Sequence, residues 1–499
     1  MTVQSPQRYE ELEGAEGAAV RFRPDRISHH DLGAVDPTLS VVVGDAILTP
    51  SLWDISQNGL AMVWPVESPV PAVGAVLPDL TVHFEDHEAY RGAVVVTSAR
   101  PRDDAWLVGA SFRDGLVDMA DVLALRDVRI WQAGAGVDLS RARRPWYVPG
   151  HDRFKSLVAE TRLLLEDAQA DLSRLERELP WSVLHGDDSA ARVGLVTGLR
   201  EGLVAELNAL VGEFDQAMGE CPAADLPALK RLSQRHLDPL LLSAPILARA
   251  RSKPLGYPGD FEVMRYIYEQ PFVGDSLYAR AMHLWGVSIV PSEMVRARKD
   301  LLKAKLIERL ESSRPGVRTR ILSVAAGPAQ EVFEALSEAR DIPGEVELVL
   351  FDQDKRALSF AFSRMQQLVA SRWGTRVRIV YLHDSIKRLL VDPTLLRQHG
   401  VFDVVLCAGL FDYLDQRLSV VLTSSLYGCL GPGGTAYIGN VVPELPTRWL
   451  LEFHLDWYCV YKSAQETLAF AVDGAPGATV SLEVEPTGNN LFAVVVRPG

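Results

Sequence analysis

The chain has 499 residues, a formal net charge of −14, 47% hydrophobic residues and 23% charged residues. This length favours two or more folded domains, and the composition excludes wholesale disorder. The acidic balance argues against broad binding of nucleic acid, which requires a surplus of lysine and arginine. We therefore expect a folded multidomain protein without a nucleic-acid partner.

The four cysteines are widely spaced and form no CxxC pair: Cys221, Cys407, Cys429 and Cys459. This pattern supports neither a disulfide framework nor a metal site. The first sixteen residues are acidic and lack an apolar core, which argues against a secretory signal. The uncharged run 418–443 is interrupted by a Gly-Pro-Gly-Gly turn, so it does not predict a membrane span. We expect a cytoplasmic protein.

Short β-branched runs alternate with turn residues from about 18 to 132. This rhythm predicts a small antiparallel β-barrel or sandwich, which we assign to residues 1–145. The pattern D-x-S-x-x-G occurs at Asp54, Ser56 and Gly59. The region resembles a PilZ domain, a small β-barrel that binds cyclic di-GMP in many bacterial proteins.

Dinucleotide binding by that family also uses an R-x-x-x-R motif, whose guanidinium groups stack on guanine and clamp phosphate. Here Arg21, Arg23 and Arg26 have a different spacing. We therefore expect a barrel that binds cyclic di-GMP weakly or not at all, in which the D-x-S-x-x-G turn serves the fold.

A helical period starts at Asp152 and continues until Pro180. Further helical patterns at 191–218 and 226–251 predict a helical connector over residues 146–252. The charged positions of the first helix would suit a homodimeric coiled coil, and packing within its own domain is the alternative.

Apolar strands alternate with helical stretches from Arg318 onward. This alternation predicts a Rossmann-like, doubly wound and mostly parallel sheet over residues 318–499, with its ligand at the carboxyl ends of the strands. The predicted strands are 320–325, 345–351, 377–382, 402–407, 435–438 and 491–496.

Small or acidic residues follow four of these strands. The first ends in small residues that let the backbone approach a ligand, and the second ends in Asp352, about 25 residues later, which suits a ribose diol. The third ends in an Asp-Ser pair that can meet an adenine ring. We assign to a cofactor the residues Ala325, Gly327, Asp352, Asp384, Ser385 and Gly409. For each one alone, a helix cap or a solvent-facing acid is the alternative.

Together with the turn 431–434, these segments resemble the class I S-adenosylmethionine-dependent methyltransferases over residues 318–497. The resemblance implies S-adenosylmethionine as cofactor, with Gly327 near its methionine part and Asp352 at its ribose. Asp384 and Ser385 would frame the adenine. Ser323, where many relatives carry an acid, and Ala329, in place of a glycine, depart from the pattern.

The segment 253–264, with later motifs around 409–414 and 456–457, is similar to bacterial methyltransferases that make 3-hydroxypalmitic acid methyl ester. We assign residues 253–317 to a helical lid, in which Asp260 caps a helix and also lies at the cofactor. Tyr257 and Tyr268 would form walls. Arg298 would anchor a carboxylate, of either the cofactor or the acceptor, because its planar fork binds such groups in a bidentate manner.

We expect the acceptor to be a small molecule, first the carboxylate of a hydroxy fatty acid or a similar acid. A carboxylate needs no general base, whereas an alcohol, phenol or amine does, and Asp412, Tyr413 and His454 are the candidate bases. For His454, packing is the alternative. The alternative functions are O- or N-methylation of a secondary metabolite and a cyclic di-GMP signalling module with an inactive methyltransferase domain.

Overall fold

The computed structural model forms two compact units, one of residues 21–144 and one of residues 1–20 together with 145–499. It describes residues 9–11, 27–32, 35–44, 46–56, 59–66, 68–102, 105–114, 117, 119, 122–123, 125–126, 149–185, 190–392 and 394–499. The predicted connector, lid and sheet regions all fall in the second unit.

The strands are numbered along the chain. They are β1 (Tyr9–Glu11), β2 (Ile27–Ser28), β3 (Pro37–Val43), β4 (Ala46–Leu48), β5 (Ser51–Ser56), β6 (Gly59–Trp64), β7 (Val76–Phe84), β8 (His87–Arg102), β9 (Ala105–Phe112), β10 (Arg318–Val324), β11 (Glu345–Asp352), β12 (Val377–His383), β13 (Phe402–Cys407), β14 (Leu430–Val441), β15 (Thr479–Val484) and β16 (Asn490–Val496).

The α-helices are numbered in the same way. They are α1 (His29–Leu32), α2 (Asp152–Glu178), α3 (Trp181–His185), α4 (Ala190–Leu199), α5 (Ala205–Gly219), α6 (Leu226–Leu241), α7 (Pro245–Ser252), α8 (Phe261–Glu269), α9 (Leu277–Gly286), α10 (Val290–Glu311), α11 (Gln330–Glu338), α12 (Lys355–Leu368), α13 (Ile386–Val391), α14 (Gln416–Gly428) and α15 (Ala464–Gly474). Within the described residues, no helix is both long and apolar enough to cross a membrane.

The unit of residues 21–144 is built on one antiparallel sheet with the order β2-β5-β6-β9-β8-β7-β3-β4. Alternate residues of β7 are buried, from Leu77 and Leu80 to Phe84, as expected for a strand with one face on a core. The predicted antiparallel β-structure is confirmed. Among the described strands, however, β2 and β4 remain edges of the sheet, so the hydrogen bonds do not close the predicted barrel.

The D-x-S-x-x-G segment of this sheet has a structural role. The Ser56 hydroxyl is buried and donates to the Gly59 carbonyl at 3.0 Å, which holds the turn between β5 and β6. Arg21, Arg23 and Arg26 lie outside the described residues. The PilZ resemblance and the weak binding of cyclic di-GMP therefore stay predictions.

The second unit contains a mostly parallel sheet with the order β1-β12-β11-β10-β13-β14-β16-β15. Among the described strands of this sheet, β16 alone runs against the direction of the others and pairs antiparallel with β14 and β15. The predicted doubly wound sheet is confirmed, although the sequence analysis omitted β15. The chain leaves β10 towards β11 and later returns to β13 on the other side, so the ligand crevice belongs at the carboxyl ends of β10 and β13.

The short strand β1 extends this sheet at the edge formed by β12, with Tyr9 opposite Tyr381 and Glu11 opposite His383. The sequence analysis placed these residues in the N-terminal domain. An edge strand offers a row of unpaired backbone groups, so a few extended residues can join it without any apolar pattern that would reveal them.

The helical region packs against itself in the same unit. The helix α2 ends just before Pro180, as predicted, and buries Phe154, Leu157 and Leu172 in a core shared with α5 and α6. In that core the rings of Phe214 and Trp449 stack with centroids 3.8 Å apart. The face that a coiled coil would use is thus covered by helices of the same chain.

Candidate functional site

The loop between β10 and α11 has an unusual backbone at the predicted ligand edge. Ala325, Gly327 and Ala329 have φ angles of 53°, 53° and 48°, in the left-handed region. Two of these residues are alanines, which adopt this region at a cost, and such strain is typical of functional loops. The helix α11 begins at Gln330, and Ala329 before it has no side chain that could cap the first N–H groups of the helix.

Asp352 holds this loop in place. It ends β11, is buried, and accepts hydrogen bonds from the Gly327 N–H at 2.7 Å and the Asp354 N–H at 2.8 Å. Burial raises the pKa of Asp352 to about 6, although these backbone hydrogen bonds oppose the shift. The carboxylate also accepts from the Gln353 N–H, so about one of its four lone-pair sites is left for the predicted contact with a ribose hydroxyl.

The pair at the end of β12 is also buried and already has protein partners. The Asp384 carboxylate accepts from the Ser385 N–H at 2.6 Å and from Arg388 Nη1 at 2.7 Å. Ser385 Oγ caps α13 by accepting from the Arg388 N–H at 3.2 Å. The Asp384 N–H donates to the Asp352 carbonyl at 3.3 Å, so the structure brings these two strand ends together. Their roles at the adenine stay predictions.

Arg298 and Asp412 form a buried ion pair beside Gly409. Arg298 Nη1 lies 3.2 Å from Asp412 Oδ2, and Asp412 Oδ1 accepts from the Val441 N–H at 2.9 Å. A Cβ atom added at Gly409 would lie 2.7 Å from Arg298 Nη2, so the guanidinium occupies the space that a side chain would need. The sequence analysis left Arg298 without a partner and Asp412 as a free base. Their pairing and the bond from Val441 engage both carboxylate oxygens of Asp412, while Arg298 can still offer its remaining N–H groups.

Four aromatic side chains lie around this site, and we call Tyr257, Tyr268, Tyr413 and Trp457 the aromatic wall. The hydroxyls of Tyr268 and Tyr413 interact with the charge of Arg298, whereas that of Tyr257 interacts with Asp352. Trp457 Nε1 donates to the Tyr413 hydroxyl at 3.1 Å. A Cβ atom at Gly259 would lie 2.8 Å from the Trp457 ring, so the lid segment closely approaches the wall there. Burial raises the pKa values of all three tyrosines well above their ordinary value, so their hydroxyls stay protonated.

Asp260 begins the lid helix α8, as predicted. One carboxylate oxygen accepts from the N–H groups of Glu262 and Val263, both at 3.0 Å, and the carboxylate forms an ion pair with Arg249 at 2.8 Å. These contacts position the lid beside the aromatic wall. The predicted contact of Asp260 with the cofactor stays a prediction.

His454 lies in the helical core with both ring nitrogens engaged. Nδ1 is 2.5 Å from Asp238 Oδ1, and Nε2 is 2.8 Å from Ser233 Oγ. The side chain is fully buried, and burial lowers its pKa. This geometry favours the packing alternative, because a base must present a free nitrogen to its substrate.

Lys462 was missed by the sequence analysis. It is buried, and its Nζ donates to the carbonyls of Phe411 at 2.9 Å and Leu414 at 2.8 Å and to Asn440 Oδ1 at 2.9 Å. Burial lowers its pKa to about 8, so the amine still carries its charge at neutral pH. It thereby fixes the turn that carries Asp412. A lone lysine beside Tyr461 gives no motif that could have revealed this role.

Glu331 was also missed. It is buried near the start of α11, where Ser323 Oγ donates to its Oε1 at 3.4 Å. Burial raises the pKa of Glu331 to about 7. A carboxyl group from the following helix thus reaches Ser323.

No protein-family model matches this chain, and no curated protein matches it. Similar solved structures include a possible exported protein from Bordetella parapertussis, with 18% identity, a TM-score of 0.40, and coverage of 62% of this chain and 99% of that one. Magnesium protoporphyrin IX methyltransferase from Synechocystis PCC 6803 with bound SAH has 11% identity, a TM-score of 0.34, and coverage of 50% and 97%. A TehB-like SAM-dependent methyltransferase from Corynebacterium glutamicum has 17% identity, a TM-score of 0.26, and coverage of 39% of this chain and 87% of that one. At these values the likeness by itself assigns no activity to this chain.

Proposed function

We propose that this chain is an S-adenosylmethionine-dependent methyltransferase that esterifies the carboxylate of a small acid, with a hydroxy fatty acid as the first candidate. The observation that carries the proposal is the grouping at one sheet edge of the left-handed loop at Gly327, the buried Asp352 and the Arg298–Asp412 pair. The edge is the place where a doubly wound sheet binds its ligand.

The residues at this edge fit the cofactor in charge and shape. The loop offers backbone N–H groups and little side-chain bulk to the methionine part, and Asp352 can accept from the ribose. Arg298 Nη2 lies against Gly409 at the end of the neighbouring strand, where a carboxylate could be held. The bound cofactor would supply an electrophilic methyl group, and the protein would supply alignment.

The engagement of the candidate bases Asp412, Tyr413 and His454 by other protein groups favours a carboxylate acceptor. In the described part of the site, Asp412 is paired with Arg298 and the hydroxyls of Tyr257, Tyr268 and Tyr413 stay protonated. An alcohol or amine acceptor would have to lose a proton during transfer, whereas a carboxylate attacks as it is. The protonated tyrosines can donate to that carboxylate, and the aromatic wall can pack on its hydrocarbon chain.

The test compares 3-hydroxypalmitate with the matched 1,3-diol in the full-length protein with S-adenosylmethionine, read by mass spectrometry. We expect a methyl ester from the acid and at least ~100-fold less ether from the diol, since general-base assistance contributes about that much. If the protein binds S-adenosylhomocysteine but does not methylate the acid, the proposed carboxylate acceptor is wrong. If the protein does not bind S-adenosylhomocysteine, the proposed cofactor is wrong.

We expect the affinity for S-adenosylhomocysteine to rise between about pH 5 and pH 7 because Asp352, with its pKa near 6, must ionise to accept from the ribose. A hydrogen bond to a charged group contributes about 1.5–3 kcal/mol. The contribution of Asp352 to the stability of the free protein should instead fall as pH rises. The pKa of Asp352 in the folded protein lies above its ordinary value of 3.8, so Asp352 contributes a loss of stability as pH rises from about 3.8 to about 6.

Calorimetry on the wild type and on Asp352→Asn checks this prediction. The amide keeps the shape of the side chain but has no titrating proton, so its affinity should be lower at pH 7 and should lack the Asp352-dependent rise. An equal rise in both proteins would show that another group is responsible.

A further inference from the structure

A thiol, an imidazole and a carboxylate lie in line in the helical region, outside the proposed methyl-transfer site. Cys221 Sγ is 3.2 Å from His151 Nδ1, and His151 Nε2 is 3.0 Å from Asp225 Oδ2. His151 directly precedes α2, while Cys221 and Asp225 lie between α5 and α6. The order matches that of a nucleophile, a base and the group that orients the base.

The hydrogen bonds define the proton positions of this cluster. Asp225 accepts from Nε2, so in the neutral imidazole that nitrogen carries the proton. Nδ1 is then an acceptor that faces Cys221 Sγ, and the thiol can donate its proton to this nitrogen or to the Ala217 carbonyl at 3.0 Å. His151 also has a left-handed backbone with φ of 59°, a strained conformation that is found at functional sites when the surroundings enforce it.

A second cluster of similar type provides an internal comparison. Ser233, His454 and Asp238 are also within hydrogen-bond distance, but Ser233 and His454 are both 0% exposed. Ser233 Oγ additionally accepts from Trp449 Nε1 at 3.1 Å. That cluster is sealed in the core. Cys221, in contrast, is only half-buried and is followed by three exposed residues, 222–224.

The surroundings of Cys221 select the kind of chemistry. Burial raises the pKa of the thiol, and the charges of Asp225 and Glu220 add to the effect, so the sulfur keeps its proton at neutral pH. Oxidation by a peroxide needs a standing thiolate. Acyl transfer suits the cluster better, because the imidazole can take the thiol proton during attack and return it to the leaving group.

We propose that Cys221 is a nucleophile for activated acyl groups, with His151 as its general base and Asp225 as the residue that orients His151. The thiol sulfur bonds to the carbonyl carbon of an ester or thioester while its proton passes to His151 Nδ1. The bond from that carbon to the leaving oxygen or sulfur then breaks, and the leaving group takes the proton. The products are an S-acyl cysteine and an alcohol or thiol.

The probe is p-nitrophenyl acetate with the full-length protein. We expect a burst of about one equivalent of p-nitrophenol and an acetyl group on the peptide that contains Cys221. Cys407, Cys429 and Cys459 serve as controls in the same sample and should stay unmodified. In Cys221→Ser the rate of p-nitrophenol release in the burst should fall at least ~100-fold, because a hydroxyl is a much weaker nucleophile than a thiol.

His151→Asn tests the role of the imidazole and suits the backbone, since asparagine tolerates left-handed φ better than most residues. We expect His151→Asn to release p-nitrophenol about 100-fold more slowly than the wild type. The pH profiles of the two proteins should differ, because in the variant the rate depends on ionisation of the thiol itself, whose pKa is raised by burial. Asp225→Asn should slow the burst and leave Cys221 as its site.

Three results would overturn the proposal. They are a burst that survives Cys221→Ser, acetylation that falls on another cysteine, and a pH profile that His151→Asn leaves unchanged. Affinity for S-adenosylhomocysteine, measured on the Cys221→Ser sample, reports folding and should equal that of the wild type.

Discussion

Replacing Arg298 by methionine is expected to lower the free energy of unfolding by about 3–5 kcal/mol, because Asp412 would then be a buried carboxylate without its counter-charge. The two side chains are only 10% and 6% exposed, so water cannot take over the role of the guanidinium. The double variant Arg298→Met/Asp412→Asn should recover most of the loss. Its amide removes the charge and can still accept from the Val441 N–H.

Urea unfolding at pH 7 and pH 5 measures this effect. Burial raises the pKa of Asp412 even with Arg298 present, and loss of Arg298 should raise it further. A carboxyl group whose folded pKa lies above its unfolded value gains stability as pH falls. The single variant should therefore be less destabilised at pH 5. Arg318→Met is the matched control, since the pair of Arg318 with Glu345 is exposed and should contribute about 1 kcal/mol or less.

The same proteins separate folding from function. If the double variant is folded but neither binds S-adenosylhomocysteine nor methylates, Arg298 acts on the cofactor. If it binds the cofactor product but does not methylate, Arg298 acts on the acceptor. Full methylation by the double variant would contradict both roles and leave the ion pair a purely structural contact.

The positions of the strand-end residues could be predicted because parallel strands bring their carboxyl ends to one edge. Asp352 follows a strand that is buried on both faces, and such a strand appears in the sequence as a continuous apolar run. The helix cap at Asp260 was predictable for a similar reason, since a small acidic residue directly before an apolar helix accepts hydrogen bonds from the first N–H groups of that helix. In both cases the signal lies within a few residues of the feature.

The partners of the buried charged groups could not be predicted in this way. Arg298 and Asp412 are 114 residues apart in the sequence, and His454 and Ser233 are 221 residues apart. Such pairs depend on how the lid and helical region pack on the sheet. The single sequence gives the residue types but no register between distant elements. The same reason explains why Lys462 was overlooked.

Lys462→Met is expected to lower the free energy of unfolding by about 3 kcal/mol. The substitution leaves the amide oxygen of Asn440 without its buried donor and removes one of two donors from the carbonyls of Phe411 and Leu414. An unsatisfied buried acceptor costs about 1–3 kcal/mol. Part of that cost is offset because methionine does not require the burial of a charge.

Lys305→Met makes the same chemical change at a lysine that is 28% exposed and paired with Glu483, and it should cost about 1 kcal/mol or less. Chemical unfolding of the two variants side by side gives the comparison. Because the amine of Lys462 ties the turn 411–414 to Asn440, its loss should also displace Asp412 and Tyr413 and reduce methyl transfer. Equal stability of the two variants would mean that water replaces the amine, and the turn would then be held by its backbone bonds alone.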